Sequence, residues 1–376
     1  MQTSRIFIGF KNSYQEQIFS SIVAGCGVQA SQLENVLKAN FDLPLSPQLV
    51  IADLGYFQER DLSVSSFAAN LAAKHPSCKL ILQNDNTWLL SALEKSWAAS
   101  FGVKHLLPRL HTRRTEATIL PVGALISQLT GLLFSAENTK SFLSVLKNSE
   151  RVNTEKQREA MELSVLEKLD QQRIELSALS QAVAKNTGFK VVDRTWRFKK
   201  FPQVLQGDEA TQWLCDQLTI TPDQAVCLGE ILRRARVFEH VAQEHAFKNE
   251  GLFYRFTDIS QASELVATKN LLSDVFSKTG FNIANRAHLA TEYSNCFIGQ
   301  EAVDWFFERY ACSRNTAVQV GQLLADLGFI FHVTGEHDFK DAPLFYQAKG
   351  IKLPSKSASV LKSGLVSLGR VAPAPA

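Results

Sequence analysis

The clearest candidate for covalent chemistry in this 376-residue chain is an aspartate that ends an apolar run. Asp53 closes the strand-like part of PQLVIADLG (47–55), and a carboxylate in that place could accept a phosphoryl group. Such a transfer needs Mg²⁺ held by further carboxylates. The first apolar run instead ends in Phe10 and Lys11, and the run FGVKHLLPR ends in Arg109. We therefore expect Lys11 and Arg109 to form a salt bridge with Asp53, and no metal to bind there.

Other residues that could do chemistry lack the spacing that chemistry requires. The pairs His240/His245 and His332/His337 do not give the HExxH spacing, in which both histidines share one helical face, and we interpret them as structural. The six cysteines form no CxxC pair, which is typical of reduced core residues in a cytosolic protein. No Ser-His-Asp motif, P-loop or dinucleotide fingerprint is visible. The sequence predicts a protein without catalysis, cofactor or metal.

A cluster of cations and aromatics between residues 190 and 201 is a candidate binding site. The cations are Lys190, Arg194, Arg197, Lys199 and Lys200, and they alternate with Trp196, Phe198 and Phe201. Cationic side chains beside exposed aromatics suit an anionic membrane surface or an acidic partner. The alternative is a solvated basic edge whose aromatics point into the core. The sequence leaves both open.

The cluster lies in one copy of an internal repeat. Setting residue n beside residue n+92 aligns 187–256 with 279–348 without a gap, and twenty-one of those seventy positions are identical. A spacing of 92 residues indicates a duplicated domain with a short connector, not a solenoid. In the second copy the five cationic positions read Asn282, Arg286, Leu289, Thr291 and Glu292. Only one cation survives, so we expect the first copy to contact a surface and the second to contact protein or provide support.

Both copies resemble the DEP domain. The resemblance depends on the aromatic and basic strand 193–201, on Gly-x-Glu-Ala-x-x-Trp, on Ala-Val-x-x-Gly-x-x-Leu and on the ending Glu-His-x-Phe-Lys…Leu-Phe-Tyr. It implies a winged-helix-like α+β module with a β-hairpin arm. The activity implied is binding, either to anionic lipids or to other signalling proteins. Periodicity in each copy independently predicts two helices, as at 209–218 and 223–234, followed by a strand or hairpin within 247–256.

The first 134 residues resemble a response-regulator receiver domain. Short apolar runs alternate with helical stretches, which predicts a flavodoxin-like, doubly wound parallel sheet. The segments PQLVIADLG, KLILQN and FGVKHLLPR resemble the third, fourth and fifth strands, and Asp53 takes the phosphoacceptor position. Arg109 lies near the usual lysine, whereas Phe10 and Lys11 replace the acidic pair. The resemblance therefore implies a pseudo-receiver that docks proteins without Mg²⁺-dependent phosphorylation.

The remaining segments complete a multidomain α/β plus α+β architecture. We predict a receiver-like domain at 1–134, a helical linker at 135–183, DEP-like domains at 184–257 and 276–349, a connector helix at 258–275 and a disordered tail at 350–376. Leucines from 163 to 179 with Val183 form a loose apolar stripe, which would pack in the next module or form the seam of a homodimer. The most apolar stretch, 119–134, is too short to span a bilayer. We expect a cytoplasmic protein, peripheral at the inner face of the membrane if it binds lipid.

Three classes of function fit these observations. The first is a non-enzymatic signalling adaptor that uses the receiver-like domain for protein docking and the DEP-like domains for membrane or protein contact. The second is a response regulator switched by phosphorylation of Asp53. The third is a winged-helix DNA-binding regulator, in which Arg233, Arg234 and Arg236 would contact DNA. The net charge is only +3, and the second copy has Asp326 and no arginine at the corresponding helix end, which disfavours nucleic acid.

Overall fold

A computed structural model describes residues 5–33, 47–60, 62–150, 157–184, 189–268, 271–288 and 291–348 of the chain. The predicted disordered tail at 350–376 and Leu289 of the second arm lie outside the described residues. Within the described ranges, no helix is long and apolar enough to cross a membrane.

The N-terminal α/β domain is built on a parallel sheet. Five strands pair in the order β2-β1-β3-β4-β5, which is the flavodoxin-like order and confirms the predicted fold class. The strands are β1 (Ile6–Gly9), β2 (Ser31–Gln32), β3 (Leu49–Asp53), β4 (Lys79–Gln83) and β5 (His105–Leu107). The helices are α1 (Ser13–Gly25), α2 (Leu54–Glu59), α3 (Val64–Lys74), α4 (Ala92–Ser100) and α5 (Leu120–Thr130).

The two faces of this sheet have separate apolar cores. Side chains of α1 and α5 cover one face, and α6 (Ala136–Glu150) packs over them through Leu143. Side chains of α2, α3 and α4 cover the other face, where Tyr56, Phe57 and Trp97 are buried. Between β5 and α5 the chain makes a 3₁₀ turn (Thr112–Arg114) and a π-helical turn (Thr115–Ile119).

The first repeat combines two pairs of helices with an antiparallel sheet. Its strands pair in the order β6-β7-β9-β8. Its elements in chain order are α7 (Gln157–Gln171), α8 (Leu176–Ala184), β6 (Val192–Trp196), β7 (Lys199–Gln206), α9 (Gly207–Leu218), α10 (Pro222–Arg234), β8 (Phe238–His240) and β9 (Phe253–Phe256). The strand expected within 247–256 therefore covers only the last four residues of that segment.

The apolar stripe of the predicted linker belongs to this repeat. Leu163, Leu166 and Leu169 of α7 are fully buried, and Leu176, Leu179 and Val183 of α8 are nearly so. All six lie in one core with side chains of α9 and α10. The expectation of a homodimer seam along this stripe is therefore wrong, because the stripe is already covered within one chain.

The second repeat has the same order of elements, which confirms that the two copies share one fold. Its strands pair in the order β10-β11-β13-β12. Its elements are α11 (Ser260–Thr268), α12 (Leu271–Val275), β10 (Ala284–His288), β11 (Thr291–Ile298), α13 (Gly299–Tyr310), α14 (Arg314–Asp326), β12 (Ile330–His332) and β13 (Phe345–Ala348). The segment predicted as one connector helix thus forms two helices.

Equivalent residues perform the same structural tasks in both copies. The buried Tyr254 hydroxyl donates to the Ala246 carbonyl at 2.8 Å, and Tyr346 does the same with Asp338. A Cβ on Gly207 would lie 2.3 Å from the Lys248 carbonyl oxygen, and one on Gly299 would lie 2.4 Å from that of Lys340. Several of the identities between the copies therefore belong to packing and not to a binding site.

The second repeat and the α/β domain share one apolar core. Trp97 of α4 lies against Phe329, with 5.8 Å between ring centroids, and α11 packs on α4. The Gln58 side-chain amide donates to the Leu327 carbonyl at 2.6 Å. The first repeat has its own core, to which Trp88 and Leu89 of the α/β domain contribute. The two copies are therefore attached to the α/β domain in different ways.

Candidate functional site

The cationic cluster of the first repeat forms a β-hairpin with a two-residue turn. Trp196 pairs with Lys199 across the end of the β6–β7 ladder, and Arg197 and Phe198 form the turn between them. Both turn residues have positive φ, 48° for Arg197 and 67° for Phe198. Positive φ at both central positions defines a type I′ turn, which normally uses Asn-Gly. Two bulky side chains thus occupy positions where they are costly.

The aromatics at the turn face solvent. The side chain of Phe198 is fully exposed (102%) and that of Trp196 is 55% exposed, whereas Phe201 packs on Phe253 with 5.5 Å between ring centroids. Of the two alternatives that the sequence leaves open, aromatics that point inward describe Phe201, and exposed aromatics describe Trp196 and Phe198. An exposed tryptophan and phenylalanine side by side are an apolar tip on an otherwise charged hairpin.

The five cations divide into two groups. Near the base of the hairpin, Arg194 donates to Glu209 at 2.5 Å and to Gln206 at 2.7 Å, and Lys190 lies 3.4 Å from Glu209. At the tip, the Arg197 guanidinium lies 4.4 Å from the centre of the Trp196 ring, and the Lys199 ammonium lies 5.4 Å from that of Phe201. Within the described part of the chain, no carboxylate lies at ion-pair distance from Arg197, Lys199 or Lys200.

The second repeat keeps the structural group and lacks the tip group. Arg286 occupies the position of Arg194 and pairs with Glu301 at 2.7 Å, as Arg194 pairs with Glu209. Asn285 and Asn295 reproduce the bulge that Asp193 and Gln203 form in the first copy. The one cation that survives in the second arm is therefore the one that ties the hairpin to its domain. The copies differ in sequence at the tip, which in the first copy faces solvent.

Asp53 lies at the carboxyl edge of the parallel sheet and is completely buried. Its carboxylate accepts hydrogen bonds from the backbone N–H groups of Lys11 (3.0 Å), Asn12 (3.2 Å) and Tyr56 (2.5 Å). The last of these makes Asp53 the N-cap of α2. Burial raises the pKa of Asp53 to about 6, and the three backbone hydrogen bonds oppose that rise.

The expected salt bridge of Asp53 with Lys11 and Arg109 is wrong. Lys11 contacts the carboxylate through its backbone N–H, and its side chain lies over Gly55. Arg109 turns away from the sheet edge to pair with Glu159 of α7, and it lies over the Trp88 ring at 5.2 Å from the ring centre. Phe10 is buried against Phe19. The acidic partner of Arg109, Glu159, lies fifty residues further along the chain, where spacing alone could not indicate it.

The paired histidines are packing groups in both copies. The His240 and His245 rings are 4.9 Å apart, and so are those of His332 and His337. The backbone N–H of Ala242 donates to His240 Nδ1 at 3.3 Å, and burial lowers the pKa of His240 to about 4. The described residues contain no group of three or more His, Cys, Asp or Glu side chains that could hold a metal ion.

The arginines of α10 that would contact DNA are engaged in ion pairs. Arg233 lies 2.7 Å from Glu230 and 3.0 Å from Asp338, and Arg234 lies 3.2 Å from both Glu230 and Glu162. Arg236, which follows the helix, is nearly buried and faces Asp326 at 3.4 Å. Arg233 and Arg236 join the two repeats, Arg234 pairs within the first repeat, and the three do not present a free cationic face.

Comparison with known families assigns the two repeats. The family model described as "Domain found in Dishevelled, Egl-10, and Pleckstrin (DEP)" matches residues 188–256 and 280–348. The chain therefore carries two tandem DEP domains behind a flavodoxin-like α/β domain whose sheet fits a receiver-like fold. Domains of this family generally bind signalling proteins or membrane lipids.

Similar proteins share only a small part of their length with this chain. A human protein named phosphatidylinositol 3,4,5-trisphosphate-dependent Rac exchanger 2 is 30% identical over 175 residues, which cover 43% of this chain and 11% of the relative. The mouse Rac exchanger 1 is 28% identical over 172 residues, covering 42% and 10%. The vacuolar membrane-associated protein iml1 of Emericella nidulans is 33% identical over 93 residues, covering 24% and 5%.

Proposed function

We propose that the chain is a non-enzymatic signalling adaptor whose first DEP domain docks on an anionic membrane through the tip of the β6–β7 hairpin. The observation that carries the proposal is the tip itself, where Trp196 and Phe198 are exposed beside Arg197, Lys199 and Lys200. An amphipathic tip of this kind suits the boundary between lipid head groups and acyl chains. Each cation near an anionic leaflet contributes about 1 kcal/mol.

The backbone of the turn supports a binding role. Arg197 and Phe198 hold left-handed conformations that glycine and asparagine adopt at lower cost. Strain at a solvent-exposed turn brings no packing benefit, so it is explained by what the two side chains contact outside the domain. The second DEP domain keeps the hairpin but lacks the cations at the positions of Lys199 and Lys200, where it has Thr291 and Glu292.

The names of several relatives agree with a membrane location. One group is named for dependence on a phosphoinositide and the other for association with the vacuolar membrane. We infer a peripheral attachment for this chain, with the second DEP domain fixed on the α/β domain and the first presenting its hairpin.

Co-sedimentation of the full chain with anionic and neutral vesicles tests the proposal. The variant Lys199→Glu/Lys200→Glu changes the hairpin by four charges and should lose about 4 kcal/mol of binding at low salt and less at physiological ionic strength. The control Lys248→Glu/Lys340→Glu makes the same change in charge outside the hairpin and should bind almost normally. Equal losses in both variants, or binding that ignores salt, would mean that the tip is not the contact.

For the α/β domain we propose a docking role that does not depend on phosphorylation. Three backbone N–H groups already occupy the Asp53 carboxylate, and a second carboxylate of this region, Asp85, accepts a hydrogen bond from the Asn12 side chain at 2.8 Å. Phosphoryl transfer would have to break the cap of α2. Incubation with Mg²⁺ and a small phosphodonor should therefore give no acyl phosphate at Asp53 by mass spectrometry. A Mg²⁺-dependent adduct there would favour a response regulator instead.

A further inference from the structure

An acidic helix and an arginine edge join the first DEP domain to the α/β domain. The edge follows β5 and consists of Arg109, Arg113 and Arg114. Two nitrogens of Arg113 donate to Glu167 at 2.7 and 2.6 Å, and two nitrogens of Arg114 donate to Asp170 at 2.8 and 2.9 Å. Arg109 pairs with Glu159. Two of these three contacts are bidentate, which gives them direction as well as charge complementarity.

A fourth contact lies in the same row. The Trp88 indole N–H donates to Glu162 at 2.7 Å, and the ring lies beneath the Arg109 guanidinium. All four acceptors, Glu159, Glu162, Glu167 and Asp170, belong to α7, whose leucines are buried in the core of the first DEP domain. The helix is therefore part of the DEP domain and carries the carboxylates by which the α/β domain holds it.

The contacts between the two DEP domains are also ionic, and they are specific to each copy. Arg233 pairs with Asp338, and Arg236 pairs with Asp326. At the positions of Arg233 and Arg236 the second copy has Ala325 and Gly328, and at those of Asp326 and Asp338 the first copy has Arg234 and Ala246. The two copies therefore contribute different residues to this contact: the first supplies the arginines and the second supplies the aspartates.

The second DEP domain shares a large apolar core with the α/β domain, whereas the apolar contact of the first DEP domain with the α/β domain consists, among the described residues, of Trp88 and Leu89. Apolar burial is insensitive to screening, whereas ion pairs weaken as salt rises. A cleft of about 1220 Å³ runs beside the arginine edge and is lined by Arg113, Arg114, Glu167 and Asp170 among others. The Arg113–Glu167 pair is partly exposed, and Asp170 is partly exposed beside the buried Arg114.

We propose that the arginine edge of the α/β domain is a docking surface for an acidic helix, that α7 is its occupant, and that the contact is a clasp that opens. In the open form α7 and the first DEP domain move as one unit, while the second DEP domain stays on the α/β domain. This motion also separates Arg233 from Asp338 and Arg236 from Asp326, and it withdraws Trp88 and Leu89 from the core of the first DEP domain. Opening changes the direction of the hairpin relative to the rest of the molecule. It also exposes Arg109, Arg113 and Arg114 to a competing acidic surface. The inference does not depend on what the hairpin binds.

Charge swaps in the full chain test the clasp. Arg114→Asp and Asp170→Arg should each raise amide hydrogen exchange in α7 and in residues 105–119 by on the order of tenfold, and increase the radius of gyration in solution scattering. The double variant Arg114→Asp/Asp170→Arg restores an opposite-charge pair and should return both measurements toward wild type. Salt near 1 M should open the wild-type molecule in the same way.

The matched control reverses a charge in another bidentate pair. Asp341 accepts two hydrogen bonds from Arg314 within the second DEP domain, so Asp341→Arg should change neither measurement at the clasp. Glu167→Gln is the milder test if a charge reversal prevents folding, and it should raise exchange roughly threefold. Unchanged exchange in the single variants, or no recovery in the double variant, would overturn the proposal.

Discussion

At Asp53, neighbours rather than residue type decide the chemistry. A carboxylate at the end of a parallel strand can be a nucleophile or a cap. Here the Tyr56 N–H makes it the cap of α2, and the N–H groups of Lys11 and Asn12 also donate to it. Such donors hold the charge in place at low cost because they are fixed by the sheet and by α2. Burial nevertheless raises the pKa of Asp53 to about 6, so its charge still carries a cost at neutral pH.

This raised pKa predicts a pH-dependent stability. The folded protein binds the proton more tightly than the unfolded chain, so the stabilisation from Asp53 is full below about pH 4 and is lost as pH rises through about 6. In Asp53→Asn that component disappears. Between about pH 5 and 7 the wild type should lose about 1 kcal/mol more unfolding free energy than the variant. Urea unfolding of both proteins across this range measures the difference, and parallel curves would contradict it.

One buried tyrosine in each DEP domain allows the contribution of its hydrogen bonds to stability to be tested in both copies. Tyr254 and Tyr346 are buried, and each hydroxyl donates to one carbonyl and accepts from one backbone N–H. Replacement by phenylalanine leaves both backbone groups without a partner, so each variant should lose about 1–3 kcal/mol of stability. Tyr293→Phe is the control, since that hydroxyl bonds to no described residue. Thermal unfolding that treats all three variants alike would show that the hydrogen bonds do not matter.

At the scale of elements, the β6–β7 hairpin is stable as a ladder and strained at its turn. The variant Arg197→Asn/Phe198→Gly supplies the residues that a type I′ turn prefers. We expect it to stabilise the first DEP domain by about 1–2 kcal/mol and to weaken binding to anionic vesicles. Binding that remains at the wild-type level would contradict the proposed role of the tip. A loss of stability would contradict the proposed strain.

The elements also show which structural features can be predicted from the sequence. Periodicity and the 92-residue offset predict the parallel strands, α10 and the shared fold of the two copies, because these follow from local pattern and identity. Nothing local indicates that Arg109 pairs with Glu159, or that Arg233 and Arg236 join the DEP domains. Such pairs depend on how domains meet. Likewise, Phe198 is exposed and Phe201 is packed because of a turn that the sequence does not predict.

At the scale of the whole molecule, duplication has produced two domains that are attached to the α/β domain differently. The second shares a large apolar core with it, and the first is held by ion pairs together with the burial of Trp88 and Leu89. The second DEP domain buries Phe329 and α11 against the α/β domain, so one face of this domain belongs to the shared apolar core and is not exposed to solvent. The first DEP domain completes its core with α7 and α8, which precede its hairpin. Two domains with the same fold therefore need not be equally able to fold without the α/β domain.

Truncation tests this asymmetry. A fragment of residues 157–257 keeps α7, α8 and the four strands of the first DEP domain, and should unfold cooperatively in urea. A fragment of residues 258–349 exposes the face that packs on Trp97 and Gln58, and should aggregate or bind a hydrophobic dye. Fusing the α/β domain, residues 1–150, to 258–349 through a flexible linker should restore a folded, monomeric protein, since it rebuilds the shared core. If 258–349 instead folds alone with cooperative unfolding, the contact is a simple interface and the two DEP domains are equivalent units after all.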